Sequence, residues 1–552
     1  MKSLRPTDTK FRRGTKRPGI VLIVVLVVVV IISLAGFSFV AFMFTENKGV
    51  RLRGEELQAA ALVDSGEESL KQFLEQSPEQ REEAGTSENN PDRFRAIAVI
   101  DDEESKQSAR FSIISTRAPE DPEFDEPIFG AENESSRLNL AAVLRWEQEQ
   151  PGAGRRALMS LPGMTLPIAG AILDWIDADS SEREGGAEAD YYAGLDPAYA
   201  PRNALPESFE ELLLVKGITR ELLFGDGGRA EDAAQDDFAL SDDESSVETS
   251  SPPARSRTSQ DHVAWASLLT WQSAERNVNR EGRPRINLNA PDLAQLHQSL
   301  AEVLDDRQAR FIVMFRQYGP ALPVAAAADD STVVFNPSLP ARFPIVSIMD
   351  LIDARVSVPA ATGNEPIAIA SPFTSARDQM RQYLPKLLDD VMLDASPVQI
   401  GRVNINSAHP AVLAAIPGID RALVDQILTA RSNQARGDES LRNQPGWLLT
   451  EGIVDIAKLR TILPYITCGG DVHRAEIVGF FDGPGPSARR EVVIDATNPP
   501  ARLVYWKDLR SLDARYPLEL IGTEDESLNQ NGPNRPRAGR RNMLTQASRS
   551  SR

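Results

Sequence analysis

The chain has 552 residues, a net charge of −20 from 60 basic and 80 acidic side chains, and a single cysteine, Cys468. That charge makes nucleic acid a poor partner for the body of the chain. One cysteine rules out an intrachain disulfide, and the length allows two or more domains. At the start, Lys2, Arg5, Lys10, Arg12, Arg13, Lys16 and Arg17 face one acid, Asp8. Residues 20–44, IVLIVVLVVVVIISLAGFSFVAFMF, then run for 25 positions without a charge. As a helix this run is about 37 Å long, enough to cross a bilayer. The basic leader stays cytoplasmic, which puts the body on the far side of the membrane as a single-pass protein. Held there without disulfides, the body depends on its core or on a metal.

The run is too long for the core of a cleaved secretory signal, and no A-x-A-like site follows it. Two readings stay open: an uncleaved signal anchor, or a type IV pilin-like leader cut after a Gly between charges and apolar run. Gly19, followed by Ile20, stands at that place. Residues 45–75 continue with helix formers, and Val50, Leu52, Leu57, Ala61, Leu62, Leu70, Phe73 and Leu74 form an imperfect apolar stripe, with Gly49 and Gly54 as local weak points. Residues 93–103 and 109–117 then read as a hairpin around an acidic turn. Most pilin-type subunits carry Glu at the fifth residue after the cut; here that residue is Val24. An unpaired carboxylate in an apolar filament core is costly. Val24 therefore argues either against a pilin or for a subunit at a filament tip.

The middle of the chain repeats itself. SRLNLAAVL (136–144), RINLNAPDLAQL (285–296) and RVNINSAHPAVL (402–413) share an apolar-Asn-apolar core. LPGMTLPIAGAILDWID (161–177) parallels IPGIDRALVDQILTARS (416–432), and VKGITRELL (215–223) repeats the turn. These units are similar to helix-hairpin-helix motifs, which grip DNA through amides of a Gly-apolar-Gly turn. The second Gly is missing, Asp420 stands where a phosphate would approach, and no dense Lys/Arg cluster flanks the turns. A structural turn with its apolar residue in a core is the default. Residues 225–260, 324–334 and the tail from about Thr523 read as linker, loop and disordered tail. From Asp471, residues 472–482, 488–497 and 501–509 suit a three-stranded meander.

The densest chemistry lies in residues 172–192, with Asp174, Asp177, Asp179, Glu182, Glu184, Glu188 and Asp190. With Asp177 as position 1, Asp179, Ser181 and Glu188 fall at 3, 5 and 12, the oxygen spacing of an EF-hand loop. Glu182 replaces the usual Gly, and no second flanking helix is evident. An irregular Ca²⁺ loop and a solvated acidic loop are both open. Glycosidase chemistry on paired carboxylates lacks support, the four His are scattered, and no nucleophile-elbow, Walker or dinucleotide-binding motif is present. Nothing here points to an enzyme.

The chain resembles the type II secretion minor pseudopilin K family. The resemblance is carried by Gly19 with Val24 in place of Glu, by AALVDSGEESL (60–70), LNLAAVL (138–144), the block DWIDADSSEREGGAEADYYAGLDPAYAPRNALPESFEELLLVKGIT (174–219) and VNINSAHPAVLAAIPGI (403–419). It implies an α+β, type IV pilin-like fold with a large inserted helical domain. The expected organisation is a leader (1–19), a pilin helix (20–80), first strands (90–145), the insertion (146–465), last strands (466–522) and a tail (523–552). It further implies a tip subunit of the type II secretion pseudopilus, set above minor pseudopilins I and J, helping to start assembly. A prepilin peptidase would cut after Gly19, and Ile20 would be N-methylated. Family members bind Ca²⁺ in the insertion. By position the ligands would be Asp177, Asp179 and Glu188, then Asp174 and Asp190. The competing reading is a membrane-anchored periplasmic helix-hairpin-helix protein that binds DNA.

Overall fold

The structure is a computed structural model and describes residues 18–100, 108–116, 126–225, 263–321, 335–359, 366–432, 442–482, 485–510, 512 and 516–522. The leader up to Arg17, nearly all of the acidic linker, the loop 324–334 and the tail from residue 523 lie outside the described residues.

Helix α1 (Pro18–Glu75) is 58 residues long. Among the described residues it is the one helix long and apolar enough to cross a membrane. It passes through Gly49 and Gly54 without a break. Its large apolar side chains from Val21 to Phe44 are exposed, while Ala59, Val63, Leu70, Phe73 and Leu74 are buried. The buried face recurs every three or four residues and packs on a sheet, with Phe111, Ile113, Ile477, Val478 and Phe480 in the same core. Half of the expected stripe is therefore displaced. Val50, Leu52 and Leu57 stand exposed, because the sheet reaches α1 only from Ala59 onward.

The sheet contains β1 (Ile97–Ile100), β2 (Ala109–Ile114), β3 (Glu132–Asn133), β4 (Val472–Phe481), β5 (Ala488–Asp495) and β6 (Arg502–Asp508). The order is β1-β2-β4-β5-β6, all antiparallel, with β3 beside β4 past the end of β2. Ile477 of β4 faces Ile113 of β2 on one side and Arg490 of β5 on the other. A Cβ on Gly479 would stand 2.4 Å from the Ala59 carbonyl oxygen, so the backbones of β4 and α1 approach closely there.

Between β3 and β4 the chain leaves the sheet and builds a second core, mostly of helices. Leu138, Leu140 and Val143 belong to this core, so the residues expected to finish the first strands instead open the helical block. The cause is local: Asn139 accepts from the amides of Ala141 and Ala142 and caps helix α2 (Leu140–Glu149).

The apolar-Asn repeats are built alike. Leu138–Asn139 pairs in parallel with Leu269–Thr270, Ile286–Asn287 with Val391–Met392, and Val403–Asn404 with Ile466–Thr467. Thr270 hydrogen-bonds the buried Glu134 carboxylate, and Thr467 hydrogen-bonds that of Glu275. Each glutamate also meets an arginine: Arg474 of β4 donates to Glu134 at 2.6 Å, and Arg402 to Glu275 at 2.6 Å. The Glu134 pair links the helical block to the central strand of the sheet.

Candidate functional site

The acidic loop follows helix α3 (Leu166–Ile176) and precedes the single turn α4 (Ala189–Ala193). Thr165 caps α3, and its apolar residues Ile168, Ile172, Trp175 and Ile176 are buried, which fixes the direction of the exit. Asp174 is fully buried and Asp177 nearly so, because both lie on the last turn of α3 against the returning loop. Gly185 makes that return with φ +78°, and Gly186 passes directly over Asp174.

Arg183 occupies the centre of the loop. Its guanidinium donates to Asp174 Oδ1 at 2.7 Å and to Asp177 Oδ2. Asp174 also accepts from the Ala187 amide at 2.9 Å and the Arg183 amide at 3.2 Å. Asp174 thus organises backbone, with its oxygens already used. Asp177 Oδ1 and both carboxylate oxygens of Glu188 are buried without a hydrogen-bond partner. Asp177, Asp179 and Glu188 each offer a ligand oxygen, and those oxygens lie within 4.8 Å of one another. Asp190 is exposed and outside that group. Of the five residues considered as ligands, three converge and two do not.

The charges follow this geometry. Burial, then the Asp174, Asp177 and Asp179 carboxylates, push the Glu188 carboxyl above its ordinary range. Burial raises Asp177 as well, against the pull of Arg183. The exposed Asp179 is held low by the Ser181 backbone N–H, which it accepts at 2.8 Å. Partnerless buried carboxylate oxygens are expensive, and a hard cation with oxygen ligands would satisfy all three. The donor set therefore fits Ca²⁺.

An aromatic wall stands behind the loop. Trp175 meets Tyr192 edge to face at 5.3 Å, and Tyr192 meets Tyr199 at 5.3 Å. Lys216 donates to the Gly186 carbonyl at 2.8 Å and lies 4.7 Å above the Tyr191 ring. Neither Arg183 nor Lys216 is marked by the sequence pattern, whereas Gly185 and Gly186 stand out within the acidic stretch. The Gly-Gly pair was the one visible signal; nothing in the spacing showed that Arg183 turns inward.

The Gly-apolar turns take one form at all three places. Gly163, Gly217 and Gly418 have φ of +71°, +84° and +88°. The next residue, Met164, Ile218 or Ile419, is buried, and its amide bonds back to the carbonyl of residue 161, 215 or 416. The residue after that caps the following helix; Asp420 Oδ1 accepts from the Leu423 amide at 2.9 Å. Those amides and the Asp420 carboxylate are engaged within the chain. Val24 sits in the exposed apolar part of α1, and the backbones of Gly19 and Ile20 open that helix.

A helix long and apolar enough to cross a membrane, with its second half lying on an antiparallel sheet, is the arrangement of the pilin-like class. Residues 136–224 match the family model "Type II secretion system (T2SS), protein K". That segment, 89 of the 552 residues, holds α3, the acidic loop and the aromatic wall. Among solved structures, the chain is similar to one in the GspK-GspI-GspJ complex from the enterotoxigenic Escherichia coli type 2 secretion system. That similarity covers 83% of this chain and 98% of the other at 10% identity, with a TM-score of 0.33. The fold rests on the elements described above rather than on that superposition. No curated protein matches the chain.

Proposed function

We propose that the chain is the tip subunit of a type II secretion pseudopilus, a structural part of protein export rather than an enzyme. The observation that carries this reading is the protein K match over residues 136–224, lying in a block inserted between strands of a pilin-like sheet. Val24 adds to it: a subunit with no neighbour above has no N-terminal amine to neutralise and no use for a buried acid. Pseudopilins I and J, the companions named in the solved GspK complex, are the partners. The basic leader sets the N-terminus on the cytoplasmic side of the inner membrane and the body in the periplasm. Prepilin peptidase cuts between Gly19 and Ile20, and Ile20 is then methylated. The inserted block and the sheet act as two units, with the helix-hairpin-helix-like turns as structural joints. The DNA-binding alternative has no support in the family match or in the turns.

Ca²⁺ belongs in the acidic loop, held by Asp177, Asp179 and Glu188. Asp174 supports from behind through Arg183 and the Ala187 amide, and Asp190 stays outside the ligand shell. Bound there, the ion supplies charge neutralisation and cross-links the end of α3 to the start of α4; no reaction is assigned to it.

The reading is tested by coexpressing the full chain with a prepilin peptidase and measuring the intact mass. The expected product begins at Ile20 with one added methyl group. An unprocessed chain, or a cut elsewhere, contradicts it.

A further inference from the structure

A second site shares no residue with the acidic loop. Helix α5 (Arg377–Asp390) runs into the strand Val391–Met392, which pairs with Ile286–Asn287. Beside this pair opens a cavity of 280 Å³. One part of its wall is apolar: Ile348, Leu388 and Val391 are buried, Met392 and Leu463 half-buried, and Val346 is 72% exposed; Ser347, Gln399, Gln444 and Thr467 supply polar lining. The volume is near the lower end for small-molecule sites, about 300 Å³.

Two guanidinium groups line it, and they are in different states. Arg402 is engaged, by Glu275 Oε1 at 2.6 Å and the Ile466 carbonyl at 2.9 Å. Arg285 is held by one atom: its Nε donates to the Asp389 backbone carbonyl at 3.0 Å. Among the described residues no carboxylate lies within ion-pair distance of Arg285, although Glu275, Asp389 and Asp471 act on it from farther away, and its two terminal nitrogens have no hydrogen-bond partner. A fixed guanidinium with both terminal nitrogens open is shaped for a bidentate carboxylate. Asp394, the one acid in the lining, is exposed and turned to its own loop, where it accepts from the Ser396 amide at 3.0 Å.

Arg285, Gln444 and Thr467 also form part of the wall of a polar cavity of 440 Å³. That chamber carries amide side chains, among them Asn404, Asn406 and Asn443, together with charged groups that are paired within the chain: Arg81 and Arg276 with Asp471, Arg280 with Glu82, and Glu275 with Arg402. Apolar surface on one side of a free guanidinium and amides on the other complement a peptide end. A terminal apolar side chain fits the smaller cavity, and preceding peptide units face the amides.

We propose that this cleft binds the C-terminal residue of a peptide chain, with an apolar side chain among Ile348, Leu388 and Val391 and its carboxylate on Arg285. This site is independent of the tip reading. The test uses the full chain in nanodiscs and a fluorescent pentapeptide, Gly-Ser-Gly-Ser-Leu, read by anisotropy. The free acid should bind at least about tenfold more tightly than its C-terminal amide. Arg285→Gln should erase that difference. Val346→Asp, at the exposed rim, should weaken the acid severalfold at unchanged melting temperature. Failure of the acid to bind, equal binding of acid and amide, or indifference to both substitutions overturns the proposal. Octanoate that competes as strongly as the peptide overturns the assignment to a peptide end and leaves a free fatty carboxylate as the ligand.

Discussion

Gly186 and Asp174 occupy one corner of the acidic loop: a Cβ at residue 186 would stand 1.9 Å from Asp174 Oδ2. No rotamer adjustment removes so close a contact, since Asp174 is pinned by Arg183 and by two backbone amides. Gly186→Ala should therefore destabilise the protein by about 1–3 kcal/mol, a drop in melting temperature that a differential scanning experiment reads directly. An unchanged melting temperature would mean that the loop does not close over Asp174.

Calcium should raise the melting temperature by several degrees, with the gain removed by chelator; an ion at a hundred times its Kd contributes about 2.7 kcal/mol. The substitution pair Asp177→Asn/Glu188→Gln should abolish the gain, because these residues carry the partnerless buried oxygens. Asp190→Asn should leave it intact, since Asp190 is exposed and outside the group. The reverse pattern would move the ion elsewhere in the loop.

Glu134 is fully buried between Arg474 of β4, Arg137 and Thr270. Burial works against its charge, but the two arginines hold its carboxyl below the ordinary range. Glu134→Ala leaves two buried guanidinium groups short of a partner, a loss of about 3–5 kcal/mol. Urea unfolding should show the unfolding free energy fall by that amount, and the sheet and helical block should separate into two transitions if this pair is what couples them. A change under 1 kcal/mol would show that Glu491, which also pairs Arg474 at 2.7 Å, suffices.

His473 on β4 is buried, with Nε2 at 3.3 Å from Ser87 Oγ and Nδ1 without a hydrogen-bond partner. Burial first, and then the neighbouring Arg81, push its value from 6.5 down to about 3. The unfolded chain takes up a proton on this residue near pH 6.5, and the folded chain does so only near 3. The stability that depends on neutral His473 is complete above the upper value and is lost as pH falls, at up to about 1.4 kcal/mol per unit. Glu134 and Asp471, both held low, add acid losses only below their ordinary values of 4.5 and 3.8. Buried carboxyls that are pushed up, such as Asp389, act in the opposite direction. The difference between the native chain and His473→Gln isolates the histidine. The native chain should lose more stability between pH 6.5 and 5 than the variant does, and parallel curves would refute the assignment.

Much of the plan was legible from patterns that depend on neighbours in sequence. The uncharged run up to Phe44, the meander β4-β5-β6 and the three apolar-Asn repeats follow from short-range hydropathy and turn residues. The face that α1 buries did not, because it depends on where the sheet reaches: Leu57 looks as apolar as Leu70, yet the first is 73% exposed and the second fully buried. In the acidic loop the convergence of Asp177, Asp179 and Glu188 was foreshadowed by their spacing, whereas Arg183 was invisible as a counter-ion, since only the fold turns it inward. Glu134 was silent for the same reason. Its partners Thr270 and Arg474 stand 136 and 340 residues away, beyond any local pattern.

Position in the filament is the centre of the account. The direct measurement is immunogold labelling of an epitope placed in the described body of the chain, on pseudopili assembled with its own companion pseudopilins. A tip subunit gives gold at one end of each filament and none along its length. Label spaced regularly along the filament, or filaments of normal number and length in cells lacking the chain, would contradict it.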